Sequence, residues 1–159
     1  MDTLEHRRFL KSSTLQEYKI GGYIPDQIQL LNGKTKESLQ WLKQTEFGGV
    51  IFVFSKHCTA CNMDIALETF NKHQEIAYAM FCEGYSEEEF SELGDKHEGL
   101  KLYAHEMSCL EAELNIQVVP YMLVVNKIGQ IIGGGIVNSY EHVFNLIKPL
   151  LRVIEERNG

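Results

Sequence analysis

The chain lacks any apolar stretch of the roughly 18 to 20 residues that crosses a bilayer as a helix, so nothing in it reads as a transmembrane span. It lacks a basic excess: 15 Lys and Arg stand against 22 Asp and Glu, a net charge of −7. Phosphate backbones are bound by cations, so nucleic acid is excluded as the main partner. Cysteine is sparse, with 4 residues, which argues against a small disulfide-stapled secreted domain. There is no internal repeat and no low-complexity segment. The glycine triplet Gly133-Gly134-Gly135 is followed by no Lys-Ser/Thr pair, so it is not a phosphate loop; it reads as a bulge or sheet-edge approach. The N-terminus carries basic residues without an apolar h-region, which excludes a signal peptide there. A tether or export segment, if the protein uses one, is expected outside this sequence.

What is present is ordinary globular material. A length of 159 residues suits one domain. With 44% hydrophobic and 23% charged residues, the chain can build a core without cysteine staples. Residues 1–19 are mostly polar, with Leu4, Phe9, Leu10 and Leu15 in no sustained period. They read as an arm or tether ahead of a domain over residues 20–159.

Ile24, held by the following Pro25, opens an extended stretch; residues 27–31 suit a short strand and Asn32-Gly33 a turn. Thr35 is an expected N-cap for a helix carrying Leu39, Trp41 and Leu42. Residues 49–54 form a nearly continuous apolar run, the pattern of a strand buried on both sides. Met63, Ile65, Ala66, Leu67 and Phe70 then follow helical spacing, predicting a helix that starts near Cys61 and runs to about His73. Residues 76–82 read as a second buried strand. Ser86-Glu87-Glu88-Glu89 is a capping box, predicting a helix that ends at Leu93, before Gly94. Residues 100–104 suit a short strand. Ser108-Cys109-Leu110-Glu111 reads as a second capping box, with a helix to about Asn115. Residues 121–126 and 130–137 flank a turn at 126–129 and predict a hairpin. Ser139 starts a last helix, which Pro149 kinks or restarts. Alternating strands and helices closed by a hairpin predict an α/β fold with a mixed sheet.

The chemistry concentrates in Phe52-Val53-Phe54-Ser55-Lys56-His57-Cys58-Thr59-Ala60-Cys61. A Cys-x-x-Cys pair serves zinc sites too, but tetrahedral zinc needs a second ligand pair. His6, His57, His73, His97, His105 and His142 supply no compact one, so no metal is assigned. At a strand-to-helix junction, Cys58 is expected at a helix N-terminus, where free amides and the dipole stabilise a thiolate. Such a junction points to a redox pair. Cys58 would attack a disulfide and Cys61 would resolve the mixed disulfide.

From about Gly22 to Leu151 the chain resembles TlpA-like and ResA-like thiol-disulfide oxidoreductases of the thioredoxin superfamily. The resemblance rests on Ile24-Pro25-Asp26, Leu30-Leu31-Asn32-Gly33-Lys34, the strand leading into the Cys pair, and Val119-Pro120 ahead of an apolar strand and a glycine turn. It implies a thioredoxin-like fold with a central mixed sheet flanked by helices. Residues 86–104 fall where this family carries an insertion before its cis-proline. It implies that Cys58 is the nucleophile, Cys61 the resolving thiol and Pro120 the cis-proline, with Val119 positioning an extended substrate. Asp64 takes the place of the family's acid, able to move protons if burial raises its pKa; otherwise it is a solvated helix-start aspartate. His57 stands where the family has tryptophan, either beside the substrate and the thiolate or simply exposed. Thr59-Ala60 differs from the family's usual pair, and Phe52 replaces the buried acid of thioredoxin. The family implies no prosthetic group and two partners: a protein dithiol or disulfide substrate and an upstream redox donor or acceptor. It also implies a protein that works outside the cytoplasm, tethered by a segment not in this sequence, with a cytoplasmic setting the alternative. The pair is expected to work in the reducing direction, which the Thr59-Ala60 departure leaves open to reversal.

Cys82 ends a strand and Cys109 begins a helix, both at the sheet edge that carries the pair. They read as auxiliary thiols, able to form a disulfide with one another, or as a buried hydrophobe and an ordinary helix-start residue. Two other functions fit parts of the pattern. Ser55, three residues before Cys58, resembles a thiol peroxidase site, though the proline of that motif is absent. Cys58, Cys61 and His105 could hold soft Cu(I) as a copper chaperone.

Overall fold

The computed structural model describes residues 20–158. The expected arm, residues 1–19, lies outside the described residues. A five-stranded sheet in the order β5-β4-β3-β6-β7 forms its centre. Strand β3 (Gly49–Ser55) is buried along all 7 residues. It lies between β4 (Ala77–Glu83), to which it runs parallel, and β6 (Tyr121–Val125), to which it runs antiparallel. Strand β5 (Leu100–Ala104) continues the parallel half, and β7 (Ile131–Ile136) closes the hairpin with β6. A central strand covered on both faces reads as an unbroken apolar run, which is the pattern of residues 49–54.

Alternate side chains supply two cores, because successive residues of a strand point to opposite faces. On one face Val50, Phe52, Phe54, Tyr78, Met80 and Cys82 pack against helices α1 (Met63–Lys72) and α4 (Tyr140–Asn158). Helix α2 (Glu87–Lys96) leans on the same layer through Phe90. On the other face Ile51, Val53, Ala79 and Phe81 meet Leu110 and Leu114 of α3 (Met107–Leu114). Each fully buried Phe or Leu contributes about 1.5–3 kcal/mol of apolar burial.

Several local expectations change. No helix follows Thr35. Instead β1 (Gln27–Ile28) pairs antiparallel with β2 (Glu37–Ser38), and a 3-10 turn covers Gln40–Lys43. The Leu39 N–H donates to the Asp26 carbonyl at 2.7 Å, and both Leu39 and Leu42 are sealed in the second core. Their i, i+3 spacing, which resembles a helix, is met by one tight turn. Helix α2 runs past Gly94 to Lys96. A side chain at Gly94 would touch nothing, so this glycine costs the helix about 1 kcal/mol of entropy without ending it. Its capping box is present as expected. The second capping box is not: α3 starts at Met107, with Glu106 at the N-cap and no side-chain cap of its own. Helix α4 continues through Pro149.

The register sets the location of the chemistry. Ser55 lies opposite Glu83, and Cys82 opposite Ala104, so the carboxyl ends of β3, β4 and β5 share one edge. Because β6 is antiparallel, its start at Tyr121, opposite Val53, returns to that edge.

Candidate thiol site

Beyond β3 the backbone makes two short turns in succession. The Cys58 N–H donates to the Ser55 carbonyl at 3.2 Å, and the Cys61 N–H to the Cys58 carbonyl at 3.3 Å. The ladder to β4 extends one step further, with the Lys56 N–H on the Glu83 carbonyl at 2.9 Å. Only then does α1 begin. Asn62 is its N-cap, accepting from the Asp64 N–H at 3.0 Å. The expectation that Cys58 sits at the helix N-terminus is therefore corrected: both cysteines precede the cap. Asn62 supplies the oxygen that holds the free amides, so the chain has no need to begin the helix earlier.

Cys58 and Cys61 are both half-buried, and both are free thiols. The Cys58 thiol donates to the Val119 carbonyl at 3.7 Å. Val119 is joined to the buried Pro120 by a cis peptide bond. Cys61 packs against the first core. Burial first, and a hydrogen bond with the Cys58 thiol second, push the Cys61 thiol up to about 12, opposed by a backbone hydrogen bond at Ser55. The structure thus brings together Cys58, Cys61, Val119 and Pro120.

The other expected residues are distributed differently. Asp64 is exposed on the first turn of α1. His57 is exposed, and a Cβ at Gly84 would lie 3.1 Å from its Nε2, so its ring rests over that glycine. Cys82 is fully buried in the first core, where burial and then the Cys61 charge raise its thiol to about 12. Cys109 lies in the first turn of α3, on the second face, and its thiol donates to Asn32 Oδ1 at 3.4 Å. Burial is the main cause raising that thiol. A Cys82–Cys109 disulfide is ruled out by this arrangement, because strand alternation turns Cys82 away from the layer that holds α3. His105 follows β5, two strands from β3, buried with neither ring nitrogen hydrogen-bonded. Among the described residues no group of His, Cys, Asp and Glu is arranged to hold a metal. The Ser55 hydroxyl donates to Glu83 Oε1 at 3.2 Å, so it is committed to a carboxylate rather than to Cys58.

Glu83 and Tyr85 escaped the sequence reading. Tyr85 precedes the Ser86 cap and pairs with Phe90 at 6.4 Å between ring centres, the arrangement of a hydrophobic staple; that spacing was the available signal. Tyr85 packs against the same core as Cys61 and Cys82, and burial, followed by Cys82 and Cys61, raises its phenol. Lys56 crosses the same corner, 2.8 Å from Glu89 and 5.7 Å from the Tyr85 ring centre. At the opposite edge of the sheet, Phe47, Ile128, Ile132, Pro149, Leu150 and Val153 line an apolar cavity of about 420 Å³.

Neither a protein-family model nor a curated protein sequence matches the chain. Solved structures do. A thioredoxin-family thiol:disulfide interchange protein from Chlorobium tepidum superposes with a TM-score of 0.59 at 10% identity, covering 82% of this chain and 97% of that one. A DsbF homologue from Corynebacterium diphtheriae gives 0.58 at 16% identity, covering 84% and 90%. A thiol:disulfide interchange protein from a Bacteroides species gives 0.57 at 15% identity, covering 82% and 91%. At these identities the likeness establishes the fold: a central mixed sheet flanked by helices, as in those thioredoxin-like structures.

Proposed function

We propose that, on this thioredoxin-like fold, the chain is a thiol-disulfide oxidoreductase that exchanges disulfides with protein substrates through Cys58 and Cys61. The observation that carries the reading is the pair itself. Two free thiols sit one backbone-bonded turn apart at the sheet edge, the Cys61 N–H on the Cys58 carbonyl at 3.3 Å, and the outer thiol lies against the Val119 carbonyl of a cis-proline loop.

The chemistry follows from the arrangement. Cys58, as thiolate, attacks one sulfur of a substrate disulfide. That S–S bond breaks, and the departing substrate sulfur takes up a proton. Cys61, held as a thiol by burial, then gives up its proton and attacks the Cys58 sulfur. The second substrate thiol leaves and a Cys58–Cys61 disulfide forms, so two electrons have passed to the substrate. An upstream dithiol returns the pair to its reduced form. Asp64, exposed on the first turn of α1, lacks the burial its proton role called for, so in this reading the Cys61 proton passes to solvent, with Asp64 at most a surface relay. Val119 and Pro120 seat the substrate backbone, and His57 borders it. The TlpA-like and ResA-like subfamily, the reducing direction and a tethered, extracytoplasmic setting are part of the same proposal. They are supported by the sequence resemblance; no helix among the described residues is long and apolar enough to cross a membrane.

Insulin reduction tests the reading. Wild type turns over with a dithiol donor, Cys58→Ser is inactive, and Cys61→Ser accumulates a mixed disulfide with substrate. Full turnover by Cys61→Ser would remove the proposal. The potential of the pair decides direction: a value near roughly −270 mV marks a reductant and one near roughly −120 mV an oxidant.

A further inference from the structure

We propose that Glu83, a residue outside the thiol pair, is the positioning residue that holds the Cys58 turn in register for disulfide closure. This inference rests on the function proposed above. Glu83 is the last residue of β4, directly opposite Ser55 at the end of β3. Its carboxylate holds two partners on different elements: Oε1 accepts from the Ser55 hydroxyl at 3.2 Å, and Oε2 accepts from the Met107 N–H at 3.0 Å. Ser55 Oγ in turn accepts from the His57 N–H at 3.3 Å. The residue immediately before Cys58 is therefore tied, through one hydroxyl and one carboxylate, to the first amide of α3.

Two features show that this is a built corner rather than an incidental surface contact. Helix α3 has no side-chain cap of its own, so Glu83 supplies the anionic partner that a helix N-terminus favours. His105, just after the adjoining strand, is 2% exposed and lies tilted against Phe81, with 6.4 Å between ring centres, filling the space on that side of the sheet edge. Closing a disulfide requires the two sulfurs to remain within a narrow range of separation and orientation. A turn anchored at Ser55 spends more of its time in that range. Cys58 acts on substrate; Glu83 acts through Ser55 and the turn.

The test is the reduction potential of the Cys58–Cys61 couple in wild type, Glu83→Ala, Glu83→Gln and Ser55→Ala, with folding verified by circular dichroism. Glu83→Gln keeps an oxygen for the Met107 N–H and an amide that can donate to Ser55 Oγ, while removing the charge. We expect Glu83→Ala and Ser55→Ala to weaken the disulfide about tenfold, a shift of about 30 mV towards more positive potential, with Glu83→Gln within about a third of that shift. A folded Glu83→Ala at the wild-type potential overturns the inference. So does a Glu83→Gln that shifts as far as Glu83→Ala, since charge would then be the cause. If Glu83→Ala does not fold, Ser55→Ala, which leaves the α3 cap in place, decides by the same criterion. A wild-type protein that forms no Cys58–Cys61 disulfide removes the parent function; one that forms it while the variants stay unmoved removes only the role of Glu83.

Discussion

The Cys58 thiol donates to the carbonyl oxygen of Val119 at 3.7 Å, joining the turn after β3 to the loop before β6. The contact fixes the order of access to the thiols. Cys58 faces the loop, Cys61 leans into the core behind it, and Cys82 is sealed beneath the sheet edge.

Alkylation should follow that order. With the protein reduced at pH 8, iodoacetamide should modify Cys58 at least ~10-fold faster than Cys61, because the thiolate is the reactive form and Cys61 is held as a thiol. Cys82 should react only on unfolding. Peptide mass spectrometry over a time course measures all three, and faster labelling of Cys61 than of Cys58 would contradict the assignment of roles.

Alkaline pH should destabilise the reduced protein through Cys82. Its folded value is raised from 9.0 to about 12, so above pH 9 the unfolded chain releases a proton that the folded chain keeps. Stability is fully present below pH 9 and falls above it, by up to about 1.4 kcal/mol per pH unit for this group. Urea titrations at pH 8, 9 and 10 should show the fall, and Cys82→Ala should reduce its slope. Tyr78, also raised by burial, adds to the loss only near and above pH 10.

Acid pH should act through His105. Burial lowers it from 6.5 to about 4, with Glu83 the opposing charge. Below pH 6.5 the unfolded chain binds a proton that the folded chain refuses, so stability is lost as the pH falls towards 4. Burying ring nitrogens unpaired costs roughly 1–3 kcal/mol. His105→Phe, which keeps a ring against Phe81, should raise stability at pH 7 by about 1 kcal/mol and flatten the acid limb. Thermal melts at pH 7 and pH 5 measure both effects.

Gly84→Ala should disturb the site from outside it. Gly84 has φ +85°, and an added Cβ would lie 3.1 Å from His57 Nε2 and 3.3 Å from Lys56 Cβ. The backbone conformation alone costs an L-residue roughly 1–2 kcal/mol. The variant should melt earlier and turn over insulin more slowly, whereas Gly94→Ala, which meets nothing, should melt at or above the wild-type temperature.

The elements legible in the sequence were those set by local periodicity. The apolar run at 49–54, the capping box at Ser86 and Glu89, the strand at 100–104 and the hairpin around 126–129 all appear where their residues place them. Each depends on neighbours within a few positions. The misread elements were those settled by distant partners. Leu39 and Leu42 have helical spacing, yet the Asp26 carbonyl and pairing with β1 turn that segment into a strand and a single 3-10 turn. Ser108 looks like a cap, yet the oxygen at the head of α3 comes from Glu83, 24 residues earlier.

The same division runs through the site. The sequence alone determined that two cysteines follow a buried strand at disulfide spacing, and that Val119-Pro120 precedes another strand. Tertiary structure decided that these meet at one edge, that Cys82 and Cys109 lie on opposite faces, and that Glu83 anchors the turn. A pattern of neighbours specifies how the backbone bends locally. Which carboxylate reaches which amide depends on strand order and register, and those follow from how the whole sheet buries its two faces.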